Sequence, residues 1–178
     1  DAMAFDRSAL GTHLPDMPVG VLSARSLPGY LMTLDLHAGT LTIQHGVLPP
    51  ADGVTIFAVD PRQRLFAVPI EIAGKRQTVF LDSGAAGGLT LPLKHASTLP
   101  LQEPPRIIGR GRRVDREMVI YGAQLKGALV LAGKRFDAPQ IRFDDDVGKG
   151  LIGNAILADY RLTVDAGNHR VRLLPRAD

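Results

Sequence analysis

The stretch Thr78–Pro92, TVFLDSGAAGGLTLP, decides how this chain is read. The apolar run Val79-Phe80-Leu81 leads straight into Asp82-Ser83-Gly84, and a second apolar segment follows the glycines. A carboxylate at the end of a buried strand has two readings. In one, the tripeptide is a turn: the Ser hydroxyl bonds neighbouring backbone, and Gly lets another chain approach closely. In the other, two such turns pack around a twofold axis and bring two aspartates within hydrogen-bond reach. Two carboxylates so close cannot both ionise, so they share one proton. One then acts as base toward a water and the other as acid toward a scissile carbonyl. That chemistry hydrolyses peptides without a metal or a covalent intermediate, and it requires a second aspartate.

Composition narrows the field. The 178 residues suffice for one or two small domains with a core, and 45% hydrophobic with 22% charged residues describes a globular chain. A net charge of +3 is too small to argue for nucleic acid. No run of about 18 apolar residues is present, so no membrane span is expected. No signal peptide is visible, and a start at Asp1 is consistent with removal of an upstream segment. The absence of cysteine excludes disulfides, zinc-thiolate sites and thiol nucleophiles. His13, His37, His45, His95 and His169 are scattered without ligand spacing, so neither a metal nor another cofactor is expected.

Nineteen glycines and thirteen prolines punctuate short runs that alternate apolar and polar residues, which predicts an all-β fold. Expected strands are 31–36, 40–44, 55–59, 65–72, 77–81, 118–125, 128–131, 140–143, 160–165 and 170–174, with a helical turn or two at 22–27 and 154–158. The chain also repeats itself. Gly20–Ile43 lines up without a gap on Gly150–Leu173, with identities at Gly20/Gly150, Leu27/Leu157, Tyr30/Tyr160, Thr33/Thr163 and Asp35/Asp165. With one residue inserted, Phe5-Asp6 corresponds to Phe136-Asp137. A period of about 130 residues is too long for a solenoid and suggests two related lobes. The copies are unequal: the second holds everything from about Leu65, including the Asp82 strand, whereas the first has only its closing half. Half a lobe leaves open edges and an uncovered apolar face.

Val79-Phe80-Leu81-Asp82-Ser83-Gly84-Ala85, followed about 70 residues later by Leu151-Ile152-Gly153-Asn154 and a closing strand pair, resembles the retropepsin-like aspartic peptidases, and among them the bacterial type with two lobes in one chain. The resemblance covers about Pro50 to Pro175, with Phe5 to Gln44 as a partial first lobe. It implies a closed, all-β barrel lobe (65–178) preceded by a connector (49–64) and by the C-terminal half of a related lobe (1–48). It implies an aspartic endopeptidase in which Asp82 supplies one carboxylate of the dyad and Ser83 and Gly84 hold it. Gly109-Arg110-Gly111 falls at the flap that closes over an extended polypeptide substrate, and Ile152-Gly153 belong to the second motif. The bacterial relatives are often exported, which implies a periplasmic or secreted location.

The departures define the alternatives. Ser23 stands where the second copy has Gly153, and the Asp-bearing strand of the first copy is missing. The partner aspartate is therefore expected from an upstream first-lobe segment or from a second copy of the chain; without it, the fold would serve as an inactive peptide-binding or regulatory module. Asp52-Gly53 lacks an apolar lead-in and lies in a Pro-rich connector. Val164-Asp165-Ala166-Gly167 looks like a second motif, but its counterpart Leu34-Asp35-Leu36-His37 does not, so Asp165 reads as a hairpin-turn residue. Arg106, Arg110, Arg112, Arg113 and Arg116 make the flap region basic, and Asp144-Asp145-Asp146 reads as a solvated turn. Ser83 lacks the nucleophile elbow and nearby His of a serine hydrolase.

Overall fold

A computed structural model of the chain describes residues 23–112, 117–145 and 147–176. The described residues form two sheets. The larger curls into a half-barrel of nine strands, in the order β10-β9-β4-β5-β12-β6-β11-β8-β7. Its strands are β4 (Phe66–Ile72), β5 (Lys75–Leu81), β6 (Leu89–Pro92), β7 (Arg106–Arg112), β8 (Glu117–Gln124), β9 (Ala128–Leu131), β10 (Lys134–Asp137), β11 (Gln140–Asp144) and β12 (Leu151–Ile152). The smaller has the order β2-β1-β13-β14-β3, from β1 (Tyr30–Asp35), β2 (Thr40–His45), β3 (Ile56–Ala58), β13 (Tyr160–Asp165) and β14 (Arg170–Pro175).

The period-2 pattern explains the strands that carry the site. In β4, Phe66, Val68, Ile70 and Ile72 turn into the core while Ala67, Pro69 and Glu71 alternate outward. Pro69 is tolerated because β9 pairs only with Glu71 and Ile72, so no ladder bond is required of its missing N–H there. The turn to β5 is two residues, Ala73 and Gly74, both at positive φ, the geometry whose twist suits a tight hairpin. In β5, Val79 and Leu81 face inward; they share the core with Leu89, Ile141, Phe143 and Ile152.

The smaller sheet shows how the two sequence copies meet. Strands β1 and β13 pair antiparallel with Leu31 opposite Asp165, Thr33 opposite Thr163 and Asp35 opposite Arg161. Equivalent residues of the repeat thus exchange places across the pair. A local twofold axis runs between Thr33 and Thr163, whose hydroxyl oxygens lie 3.0 Å apart. Flanking strands follow the same symmetry, β2 beside β1 and β14 beside β13. Asp165 accepts hydrogen bonds from Asn168 N–H at the β13–β14 turn and from Leu48 N–H, and Asp35 accepts one from Ala38 N–H at the corresponding turn. Burial pushes the Asp165 carboxyl up, but these hydrogen bonds outweigh it and hold the group below the usual carboxylate range.

Two expectations are corrected, and one stretch left unassigned gains two elements. The described part of the expected helix at 22–27, Ser23–Leu27, is a turn closed by Ser26 N–H to Ser23 O. Gly84 is followed by an unpredicted strand, β6, and a 3-10 helix at Leu93–Thr98. Asp144 is not a solvated turn residue: it ends β11, an interior strand flanked by β6 and β8, and is buried, while Asp145 is exposed and Asp146 lies outside the described residues. Among the described residues the remaining helix is the single turn α1 (Asn154–Leu157).

Candidate active site

Strand β5 carries Asp82 to its end. The backbone N–H of Asp82 still continues the ladder, donating to Ile152 O at 2.9 Å, so the residue is fixed by the parallel pairing of β5 with β12. Its side chain then turns back on the following residues. Asp82 Oδ1 accepts the Gly84 N–H at 2.9 Å, and Ala85 N–H donates to Asp82 O at 3.1 Å. A Cβ at position 84 would stand 3.2 Å from Oδ1, closer than nearly all such contacts. Glycine at 84 therefore serves proximity to the carboxylate. Asp82 is half-buried, whereas Ser83 and Gly84 are exposed, so the carboxylate is both held and reachable.

Behind the turn, residues 85–88 are stitched to the second motif. Gly153 N–H donates to Gly88 O at 2.8 Å, Asn154 N–H to Ala85 O at 2.7 Å and Ala155 N–H to Gly87 O at 3.1 Å. The amides at the start of α1 thereby find acceptors in the loop, with no side-chain cap. Gly153 is required by space: a Cβ there would press on the carbonyl oxygens of Gly87 and Ala85. The structure thus brings Asp82, Ser83, Gly84, Ile152 and Gly153 into one bonded unit. Sequence reading placed Ala85 in the motif but had not singled out Gly87 and Gly88; the carbonyls of all three lock the loop. The signal available was the Gly87-Gly88 pair, since Gly87 is buried with the Arg142 side chain across the place of its missing Cβ.

Gly109, Arg110 and Gly111 lie elsewhere, in the edge strand β7, which pairs with β8 as a hairpin. Among the described residues no hydrogen bond joins them to the Asp82 turn. The hairpin register shifts between Ile107 and Gly109, leaving Ile107 and Ile108 exposed, with Ile108 lying over Gly122. The basic character of this hairpin is reduced at Arg106, which pairs with Glu103 at 2.7 Å. Arg113 and Arg116 lie outside the described residues.

Asp52, the other Asp-Gly considered from the sequence, has a structural role. Asp52 accepts backbone N–H bonds from Val54, Thr55 and Ile56 at 2.7–2.8 Å and the Thr55 hydroxyl at 3.0 Å. These bonds, that from Ile56 foremost, hold its carboxyl down to about 2 and shape the entry to β3. Among the described residues no group of three or more His, Asp or Glu is placed to hold a metal ion. No described helix is long and apolar enough to cross a membrane.

Comparison with known proteins bears on the fold. No protein-family model matches the sequence, and no curated protein matches it. Among solved structures, the chain is similar to a retropepsin-like aspartic protease from Rickettsia conorii, at 18% identity and a TM-score of 0.53. The likeness covers 67% of this chain and 96% of that one. The chain therefore has the all-β, retropepsin-like fold.

Proposed function

We propose that this chain, with the fold of the retropepsin-like peptidases, supplies half of the catalytic site of an aspartic endopeptidase. The observation that carries the reading is the Asp82 turn: a half-buried carboxylate held at 2.9 Å by the Gly84 amide, on a loop bonded to the Ile152–Gly153 segment. In this reading Asp82 shares a proton with a second aspartate across a twofold axis. The ionised member takes a proton from water as it attacks the scissile carbonyl, and the protonated member donates to the carbonyl oxygen. Ser83 and Gly84 hold the carboxylate. The β7–β8 hairpin, with Gly109, Arg110 and Gly111, covers an extended polypeptide bound by strand pairing. The second aspartate comes from an upstream first-lobe segment or from a second copy of the chain.

Ser23 favours a second reading, a peptide-binding or regulatory module without catalysis. It occupies the repeat position of Gly153, is exposed, and uses its hydroxyl to accept the Arg25 N–H at 3.2 Å. Cleavage of an unfolded protein substrate at mildly acidic pH separates the two. The endopeptidase reading expects cleavage once the second aspartate is supplied, inhibition by a statine-type transition-state mimic, and loss of at least about a hundredfold in kcat on Asp82→Asn. Undiminished cleavage by the Asp82→Asn protein would overturn it.

A further inference from the structure

The repeat makes it possible to ask, residue by residue, what one half of the smaller sheet has that the other lacks. Leu41 and Ile43 of β2 are 50% and 45% exposed, whereas their counterparts on β14, Val171 and Leu173, are fully buried. Tyr30 is 38% exposed and its counterpart Tyr160 is 0%. The difference is one of cover. On the β14 side, β3 pairs along the edge, with Phe57 opposite Val171 and Leu173 N–H donating to Thr55 O at 2.9 Å. The half-barrel packs over the face, since Val171 and Leu173 belong to the same core as Leu81 and Ile152. Among the described residues nothing pairs with the outer edge of β2.

The other sheet edges are blunted. Strand β3 is three residues long, β10 carries Lys134, Arg135 and Asp137, and β7 carries Arg106 and Arg110 with a register shift. By contrast β2, Thr-Leu-Thr-Ile-Gln-His, has six exposed residues, no Lys, Glu or Pro and no irregularity in its pairing. Exposed uncharged edges of this kind template the addition of another strand.

We propose that the edge and apolar face of β2 are the docking site for an upstream half-lobe equivalent to residues 49–131. That half-lobe adds a β3-like strand beside Leu41 and Ile43 and sets its core over Tyr30, Leu41 and Ile43. A second copy of this chain is the wrong shape for the site. Placed by the twofold through Thr33 and Thr163, it would need its β13 and β14 where β1 and β2 already stand. Chain order agrees: in the complete lobe the covering half precedes its closing strands. This inference names the source of the partner in the proposed function, but it rests on the symmetry of the sheet, so docking and cleavage can fail separately.

The test compares the chain with a form in which a copy of its own residues 49–131 is fused ahead of residue 1, which continues the repeat alignment. Amide hydrogen exchange at Ile43 is expected to slow by at least about tenfold in the fused form. Leu41→Lys/Ile43→Lys is expected to abolish that slowing while leaving the melting temperature of the unfused chain unchanged. A synthetic peptide of residues 51–60, the strand that covers β14, is an independent probe. It is expected to shift the β2 amide resonances of the unfused chain. No slowing in the fusion together with no shift on β2 overturns the proposal. So does a concentration-dependent dimer of the unfused chain that the double Lys variant abolishes, which would assign the face to a second copy. A fused form protected at β2 that cleaves nothing keeps the docking site and removes the endopeptidase reading.

Discussion

A methyl group added at Gly153 would stand 2.5 Å from the carbonyl oxygen of Ala85 and press equally on that of Gly87. Ordinary contact begins at 3.4 Å, so the intrusion is roughly 1 Å on two sides. Neither neighbour is a side-chain tip that can swing away. Both are backbone oxygens already bonded, to Asn154 N–H at 2.7 Å and Ala155 N–H at 3.1 Å. Relief requires the 85–88 loop to lift, straining or breaking those bonds. Overpacking typically costs about 1–3 kcal/mol, and each net hydrogen bond about 1 kcal/mol. Because φ at Gly153 is −105°, alanine is otherwise permitted, and its stiffer unfolded chain returns about 0.4–1 kcal/mol. The expected net loss for Gly153→Ala is about 2–4 kcal/mol, which for a chain of this length lowers Tm by roughly 5–15 °C. Thermal unfolding followed by circular dichroism measures it, with Gly148→Ala as control, since nothing lies within 4 Å of a Cβ there. A Tm for Gly153→Ala within about 2 °C of the parent would refute the claim that this glycine locks the Asp82 loop.

Two further outcomes follow from the two halves of the repeat and from the acidic turn before β3. Tyr160 is buried and donates its hydroxyl to Leu131 O at 2.7 Å, and burial pushes that hydroxyl's pKa well up. Tyr160→Phe removes this buried hydrogen bond and should cost about 1 kcal/mol in urea denaturation, whereas Tyr30→Phe, beside His45 at the surface, should change stability by less than about 0.5 kcal/mol. Asp52 is held at about 2 in the folded chain against roughly 3.9 unfolded, so its contribution is complete above the unfolded value and is lost as pH falls toward 2. Acid titration of Asp52→Asn should therefore show a shallower loss of Tm below pH 4 than the parent; an identical slope would remove Asp52 from the acid response.

What could be read from the sequence was whatever the period-2 pattern or the repeat made audible. Strands β1, β4, β5, β8, β13 and β14 alternate or run apolar over six to eight residues, and their expected spans agree with the observed ones to within two residues. Strands β10 (Lys-Arg-Phe-Asp) and β7 (Arg-Ile-Ile-Gly-Arg-Gly-Arg) lie at sheet edges, where one side of the ladder faces water and charge is favoured, so the pattern is absent. Strands β6 and β12 are four and two residues long, too short to carry a period, and are held as strands by pairing on both sides. Asp144 misled because three successive aspartates read as solvent, while its position in an interior strand buries it. At the site, Asp82 to Gly84 and Ile152 to Gly153 were marked by residue type. The way Ala85, Gly87 and Gly88 bond to residues 153–155 depends on backbone carbonyls, which every residue has and no sequence distinguishes.

The pairing of Thr33 with Thr163 also sets a timetable. Strands β1 and β2 are made before the rest of the smaller sheet, and β13, which closes against β1, is made 130 residues later. At roughly 5–20 residues per second the interval is about 7–26 s, long compared with the microseconds in which a hairpin forms. Through that interval the edge of β1 that pairs with β13 in the folded sheet has no partner. Synthesis rate, and whatever shields the nascent hairpin meanwhile, therefore belong among the determinants of how much of this chain reaches its folded state.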